Sequence, residues 1–189
     1  MPEEIDSCSV AHGAAPAAST ATSTSATATS PSAGFLAPDR TLIAVFSSPV
    51  AAYLLRYGSD AGYRPLLVEP DPDRASGAAM SGFGVLGVVP DDIEGADVVV
   101  TDHHREELGE VLREALATKA RWIGVMGNPR HPAPHIPALE ALGVAPGDIA
   151  RVHRPIGLNI GSRTPPEIAI STLAGLLADR NSRPGGFTF

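Results

Sequence analysis

The side chains that could do chemistry gather in a few short segments. The longest is Arg151-Val152-His153-Arg154-Pro155-Ile156-Gly157-Leu158-Asn159-Ile160-Gly161-Ser162-Arg163-Thr164. It sets three arginines and a histidine around Gly157 and Gly161, just before Thr164-Pro165-Pro166-Glu167, a capping-box sequence with proline at N1. Cations, a helix dipole and open backbone amides would together hold an anion, with Arg163 and Thr164 at the helix mouth. A plain crossover loop is the alternative. A second segment, Met126-Gly127-Asn128-Pro129-Arg130-His131-Pro132, puts glycine, an amide side chain and a cation in one loop, which also suits an anion. His131 and His135 stand four apart, the spacing of a helical metal pair, but Pro132, Pro134 and Pro137 argue against a helix there and so against zinc.

The densest ionisable cluster is Thr101-Asp102-His103-His104-Arg105-Glu106-Glu107. Asp102 and His103 are candidates for an acid/base pair or a metal site. Against this, Thr101 or Asp102 could simply cap a helix starting near Arg105, with the early glutamates favouring its dipole. Phe46-Ser47-Ser48-Pro49-Val50-Ala51 stands where a dinucleotide fold carries Gly-x-Gly-x-x-Gly/Ala. Phe46 and Ser48 replace the two glycines, which argues against NAD and predicts that glycine at both positions would improve its binding. Ser47 and Ser48 could still meet a phosphate through their hydroxyls and the helix N-terminus, or could serve only as caps. Glu69, about 20 residues on, has the position of an acid that bonds a nucleotide ribose, or of a solvated loop residue before Pro70-Asp71-Pro72-Asp73.

Strands alternating with helices must position these segments. Leu42–Phe46 is an apolar run followed by a turn and a helix from Pro49 through Tyr57, with Gly58 and Gly62 marking the return. Arg64–Glu69, Asp97–Thr101 and Arg121–Met126 read as further buried strands, the unbroken Val98–Val100 run being that of a parallel strand covered on both faces. Phe83–Val89 is a glycine-broken candidate for one more. Helical spacing runs over Arg105–Ala117, Ala138–Leu142 (ending at Gly143, a C′ glycine) and Ile168–Leu177. The fold class is α/β: a doubly wound parallel sheet, Rossmann-like, in a single domain over 39–189. Ligands of such sheets bind at the carboxyl ends of the strands, where every segment above falls.

Composition bounds the function. The chain has 189 residues, 14 Lys and Arg against 21 Asp and Glu, and a net charge of −7, which opposes a general grip on nucleic acid. Its single cysteine, Cys8, excludes a disulfide framework or a cysteine-built metal centre within one chain. No apolar run approaches the ~18 residues of a membrane span. Residues 14–33 are only Ala, Ser, Thr and Pro, and no charged residue occurs from Ser7 to Pro38. Such a tract buries too little apolar area to offset its ordering entropy, so 1–38 is expected to be a disordered tail. Its acidic start and lack of a Leu-rich segment argue against a secretory signal, and a cytoplasmic protein is expected.

From Val98 onward the chain resembles the C-terminal Rossmann-like domain of the xanthine dehydrogenase accessory protein family, XdhC/CoxI. The resemblance is carried by Thr101-Asp102-His103, by Gly124-Val125-Met126-Gly127 with Arg130-His131, and by Asp148-Ile149-Ala150-Arg151-Val152-His153. Most of all it is carried by Pro155-Ile156-Gly157-Leu158-Asn159-Ile160-Gly161-Ser162-Arg163-Thr164-Pro165-Pro166-Glu167-Ile168-Ala169. Leu42–Glu69 is similar more weakly. Phe46-Ser47-Ser48 stands for the family's glycine turn, Asn159 for its usual aspartate, and the tail for its cysteine-bearing N-terminal domain. The resemblance implies an accessory protein, not an enzyme, that binds the molybdenum cofactor as molybdopterin or its cytosine dinucleotide. It would deliver the cofactor to a molybdenum hydroxylase of xanthine or carbon monoxide dehydrogenase type. A cysteine desulfurase is a further candidate partner, and a homodimer a candidate assembly. An NAD-dependent oxidoreductase and a non-catalytic recruitment scaffold are the rival readings. The cofactor-binding candidates are Ser47, Ser48, Glu69, Asp102, His103, Gly127, Asn128, Arg130, His131, Gly157, Asn159, Gly161, Arg163 and Thr164.

Limited proteolysis should remove residues up to about Pro38 and leave a cooperatively folded remainder. A sharp loss of thermal stability on deleting residues 1–36 would contradict the tail reading.

Overall fold

A computed structural model of the protein describes residues 40–78, 82–128 and 130–186. The tail expected at 1–38 lies outside the described residues. Six strands and six helices follow one another as β1 Thr41–Val45, α1 Pro49–Asp60, β2 Arg64–Val68, α2 Pro72–Ala78, β3 Gly84–Leu86 and β4 Asp97–Val100. Then come α3 Leu108–Ala117, β5 Trp122–Val125, α4 His135–Ala141, α5 Pro146–Ile149, β6 Val152–His153 and α6 Pro165–Arg180. The strands form one sheet in the order β3-β2-β1-β4-β5-β6. Every pairing is parallel. β1 pairs with both β2 and β4, so the strand order reverses there and a crevice opens beyond the strand ends.

The alternation of side chains along β1 explains the two layers of helices. Ile43 and Val45 join Val98, Val100, Leu112 and Leu139 on one face of the sheet. Leu42 and Ala44 join Val99, Leu54, Leu55, Leu173 and Leu176 on the other. So α3 and α4 cover one face, and α1 and α6 the other. Gly58 lies inside α1, not at its end: a Cβ there would meet Leu42 Cδ2 at 2.5 Å, so glycine lets the helix sit close on β1. The return is made by Gly62, with φ of 84°. Gly143, with φ of 72°, follows α4 as the C′ glycine.

Several elements depart from the sequence expectation. α3 begins at Leu108, because the chain is still irregular before it, with turns at 103–104 and 106–107. α4 begins at His135, and its Pro137 is tolerated because first-turn amides need no intrahelical acceptor. The segment Pro70–Asp73 leads into α2. Edge strand β6, only two residues long, was not anticipated; its His153 ring stacks on Trp122 of β5, centroids 5.0 Å apart.

At the amino ends of the strands, Asp97 is fully buried at the start of β4. It accepts from Arg121 Nε at 2.7 Å, Arg180 Nη2 at 3.0 Å and the Tyr63 hydroxyl at 3.2 Å. Burial, and then the Asp97 charge, raise the Tyr63 pKa and keep that hydroxyl a donor. The carboxylate thereby ties β2, β4, β5 and the end of α6 together. Removing one partner of a buried charge network costs ~3–5 kcal/mol. Asp97→Ala should destabilise the protein by about that much in urea unfolding, leaving Arg180 without a counter-charge and Arg121 with Asp179 alone. A loss below ~1 kcal/mol would mean that the network does not hold this end of the sheet.

Candidate functional site

A cavity of about 830 Å³ opens beyond the carboxyl ends of β4 and β5. Its walls come from four places: Thr101 and His103 after β4; Met126, Gly127, Asn128 and Arg130 after β5; residues 155–163 before α6; and Ile168, Ser171 and Thr172 of α6. Val50 of α1 closes one side. Of the residues expected at a binding site, His103, Gly127, Asn128, Arg130, Gly157, Asn159, Gly161 and Arg163 are on this wall. Ser47, Ser48, Glu69, Asp102, His131 and Thr164 are not.

Each residue off the wall has a partner that explains its place. Glu69 is fully buried, so it is not a solvated loop acid. Nor does it offer itself to a ribose: Oε2 accepts from the Ser47 amide at 2.7 Å, Oε1 from the Asp71 amide at 3.1 Å, and Arg105 pairs with both oxygens. Ser48 caps α1 through Ala51 N–H at 3.0 Å. Its hydroxyl also bonds Thr101 Oγ1 at 2.9 Å, and Thr101 donates on to Phe46 O at 2.9 Å. Thr101 therefore ties β4 to the first turn and caps no helix. Asp102 Oδ1 accepts from His104 N–H at 3.0 Å. The structure gives it no hydrogen bond to the His103 imidazole, so the expected acid/base pair does not form. His131 is exposed ahead of α4 while His135 is buried at its start, so the two share no helix face. The Phe46 ring is fully buried in the core, so it does not stand in the way of a phosphate at this turn.

The open amides expected at the start of α6 are also absent. Pro165 and Pro166 carry no N–H, and Glu167 Oε2 accepts from Arg163 N–H at 2.8 Å and Thr164 N–H at 3.0 Å. Those bonds hold the Glu167 pKa below its ordinary value. The capping box forms as predicted, but it consumes the donors that an anion would need. The guanidinium groups on this wall are those of Arg130 and Arg163.

Glycine shapes the pocket in two ways. A Cβ on Gly127 would meet Arg154 Nε at 2.6 Å, since that guanidinium lies flat on the loop. Arg154 donates to Asn128 O at 3.0 Å and His131 O at 3.2 Å, so it braces the β5 loop from outside. Gly157, with φ of 83°, presses on α6: its Cβ would meet Ser171 Oγ at 2.7 Å, and Gly175 opposes it. Ser171 locks the contact, donating to Leu158 O at 2.6 Å and accepting Leu158 N–H at 3.0 Å. The loop before α6 is thus a fixed wall. The bracing role of Arg154 was not legible in the sequence, where nothing separates it from Arg151 or Arg163. Arg151 instead holds Leu116 O at 3.1 Å, near the end of α3. His103 is held neutral, its pKa lowered first by burial and then by the charges of His104 and Arg154.

Comparison with known proteins agrees with this architecture. Residues 42–176 match the XdhC Rossmann domain. The uncharacterised protein YqeB of Escherichia coli strain K12 is 38% identical over 89 residues, covering 47% of this chain and 16% of that one. A solved structure from Bacillus halodurans, described as a xanthine dehydrogenase, superposes with a TM-score of 0.59 at 22% identity. It covers 76% of this chain and 45% of its own, so the chain spans less than half the length of either relative.

His135 sets a pH dependence. It is 4% exposed, and burial, then the Arg154 charge, lower its pKa from 6.5. The unfolded chain therefore takes up protons on this residue and on His103 at a higher pH than the folded one, and folding stability falls as pH drops below about 6.5. The melting temperature of the protein should decline between pH 7 and 5.5, and His135→Asn should flatten that decline. An unchanged slope in the variant would place the proton uptake elsewhere.

Proposed function

Because the chain belongs to the XdhC Rossmann-domain family, we propose that it is an accessory protein of a xanthine dehydrogenase system. In this reading it binds the molybdenum cofactor in the cleft beyond β4 and β5. It then passes the cofactor, in the cytoplasm, to a molybdenum hydroxylase of xanthine or carbon monoxide dehydrogenase type. The observation that carries the reading is the meeting of Arg130 and Arg163 on one glycine-walled cavity.

The residues fit such a cargo. A planar guanidinium matches a phosphate oxygen pair in two parallel hydrogen bonds. Asn159 offers both donor and acceptor to a pterin edge, Asn128 offers its amide N–H groups while its Oδ1 accepts Arg130 N–H at 2.9 Å, and Met126, Ile156 and Ile168 give apolar surface to the ring. The cofactor supplies redox chemistry only to the enzyme that receives it. This chain's own part is to bind, orient and shield. The one titratable wall residue with a shifted pKa, His103, is neutral and lacks a bonded carboxylate, an arrangement suited to hydrogen bonding a ligand more than to proton transfer.

Arg163→Ala and Arg130→Ala should each weaken binding of molybdenum cofactor by ~1.5–3 kcal/mol, the range for hydrogen bonds to charged groups. Neither should lower the melting temperature much. The Arg163 side chain is exposed close to the positive end of α6, where a cation adds nothing to the helix. A melting curve without ligand and a cofactor titration make the test. A variant that melts far lower yet binds normally would make the arginine structural. Failure of the unmodified protein to bind cofactor, with capture of a hydroxylase intact, would favour a recruitment scaffold.

A further inference from the structure

We infer that Arg105 is a specificity-determining residue: it fills the half of the crevice at the ends of β1 and β2, so that the pocket accepts the phosphomonoester form of the cofactor and excludes its cytosine dinucleotide. The inference rests on the cofactor reading above and adds to it which form of the cofactor is bound.

A dinucleotide in a doubly wound sheet straddles the point where strand order reverses. Its pyrophosphate rests on the amides of the turn after β1, and a ribose hydroxyl bonds the acid at the end of β2. Here three of those amides are already spent, and among the described residues only those of Ser48 and Val50 have no partner in the chain. Ser47 N–H goes to Glu69 Oε2 at 2.7 Å, Ala51 N–H to Ser48 Oγ at 3.0 Å and Ala52 N–H to Ser48 O at 3.1 Å, while Pro49 has no N–H. The acid is spent too. Arg105 Nη1 donates to Glu69 Oε2 at 3.3 Å and Nη2 to Oε1 at 3.1 Å, the fork that a ribose diol would otherwise make with the same two oxygens.

Arg105 is not a loose side chain that a ligand could brush aside. Its guanidinium lies 4.7 Å from the centroid of the Phe46 ring, and Nη2 also bonds Glu107 Oε1 at 2.8 Å. Its side chain is 9% exposed. To dock there, a nucleotide would have to strip Arg105 from two carboxylates and an aromatic face, leaving Glu69 buried without a cation. Such a buried unpaired charge is strongly unfavourable. Nor does Arg105 add a phosphate grip, because Glu69 and Glu107 already neutralise it. The cavity begins on the far side of this plug, at Thr101 and His103, and runs toward Arg130 and Arg163. Among the described residues its lining takes Val50 from the start of α1 and nothing from the end of β2, so it has a charged place for one phosphate lobe and no half-site at Glu69.

The test titrates three probes by calorimetry: molybdenum cofactor as the phosphomonoester, its cytosine dinucleotide form, and NAD. The unmodified protein should bind the phosphomonoester at least about tenfold more tightly than the dinucleotide form. Arg105→Ala alone leaves a buried carboxylate unpaired and could fail to fold, so the deciding variant is Glu69→Gln with Arg105→Met, which removes both charges and keeps the volume. It should tighten dinucleotide binding by about fivefold or more while changing phosphomonoester binding less than about twofold. Equal affinities in the unmodified protein, or an unchanged ratio in the double variant, would overturn the inference. If the unmodified protein binds neither form of the cofactor, the proposed function fails. Arg105 is then judged on NAD, whose binding must be stronger in the double variant than in the unmodified protein for the plug to stand.

Discussion

A carboxylate sealed from water must be met by donors, and Glu69 is met from three directions at once. The turn after β1 gives the Ser47 amide, the segment after β2 gives the Asp71 amide, and the loop after β4 gives Arg105. These are the three chain segments that flank the crevice on that side of the sheet. Because β1 pairs with both β2 and β4, fixing their carboxyl ends to one another fixes the shape of the crevice. Phe46, held at φ of 70°, turns its ring into the core beneath the guanidinium. Glycine would adopt that backbone without strain, but phenylalanine adds apolar burial and a face for the cation. A packed, ion-paired plug therefore stands where a nucleotide fold has its glycine turn.

The arginines divide by what answers them. Arg121 and Arg180 meet Asp97 at the amino ends of the strands, Arg105 meets Glu69 at the carboxyl ends, and Arg154 gives its hydrogen bonds to backbone carbonyls. Arg130 and Arg163 make no ion pair among the described residues. Both are exposed on the wall of the same cavity. In an acidic chain, two unanswered cations at one cleft attract an anion more strongly than the net charge would imply, because nearby charges dominate over distant, screened ones. The cleft can keep this character because its loops are braced from behind. Arg154 lies against Gly127, and Gly157 lies against Ser171 and Gly175, so neither loop needs a ligand to give it shape.

Glu167 shows how a motif can be correct and its consequence wrong. The capping box forms where the sequence puts it, and two prolines start the helix. Yet the same carboxylate takes the Arg163 and Thr164 amides, which leaves the helix mouth with a negative group in place of open donors. An anion-binding helix start needs free amides as well as a dipole, and proline at N1 and N2 removes two of them.

The sequence by itself determined what depends on neighbours a few residues apart. The apolar runs at β1, β2, β4 and β5, the Thr164 cap and the C′ glycine at 143 are short-range features, and burial on both faces makes the parallel strands legible as apolar runs. Alternation of strand and helix then led to the doubly wound sheet and to the strand ends as the place for a ligand. The two-residue β6 and the one-turn α5 carried too few residues for any periodicity to register. What only the tertiary structure decided was the partner of each charge. Glu69 and Arg105 are 36 residues apart, and Asp97 and Arg180 are 83 apart, so no local pattern says which acid is consumed internally and which cation remains at the cleft. Side-chain type fixes what a residue can bond, but burial and the long-range register of the sheet decide what it does bond. For that reason Arg130 and Arg163 were recognisable as candidates, while Glu69 could be assigned its structural role only after the strands were paired.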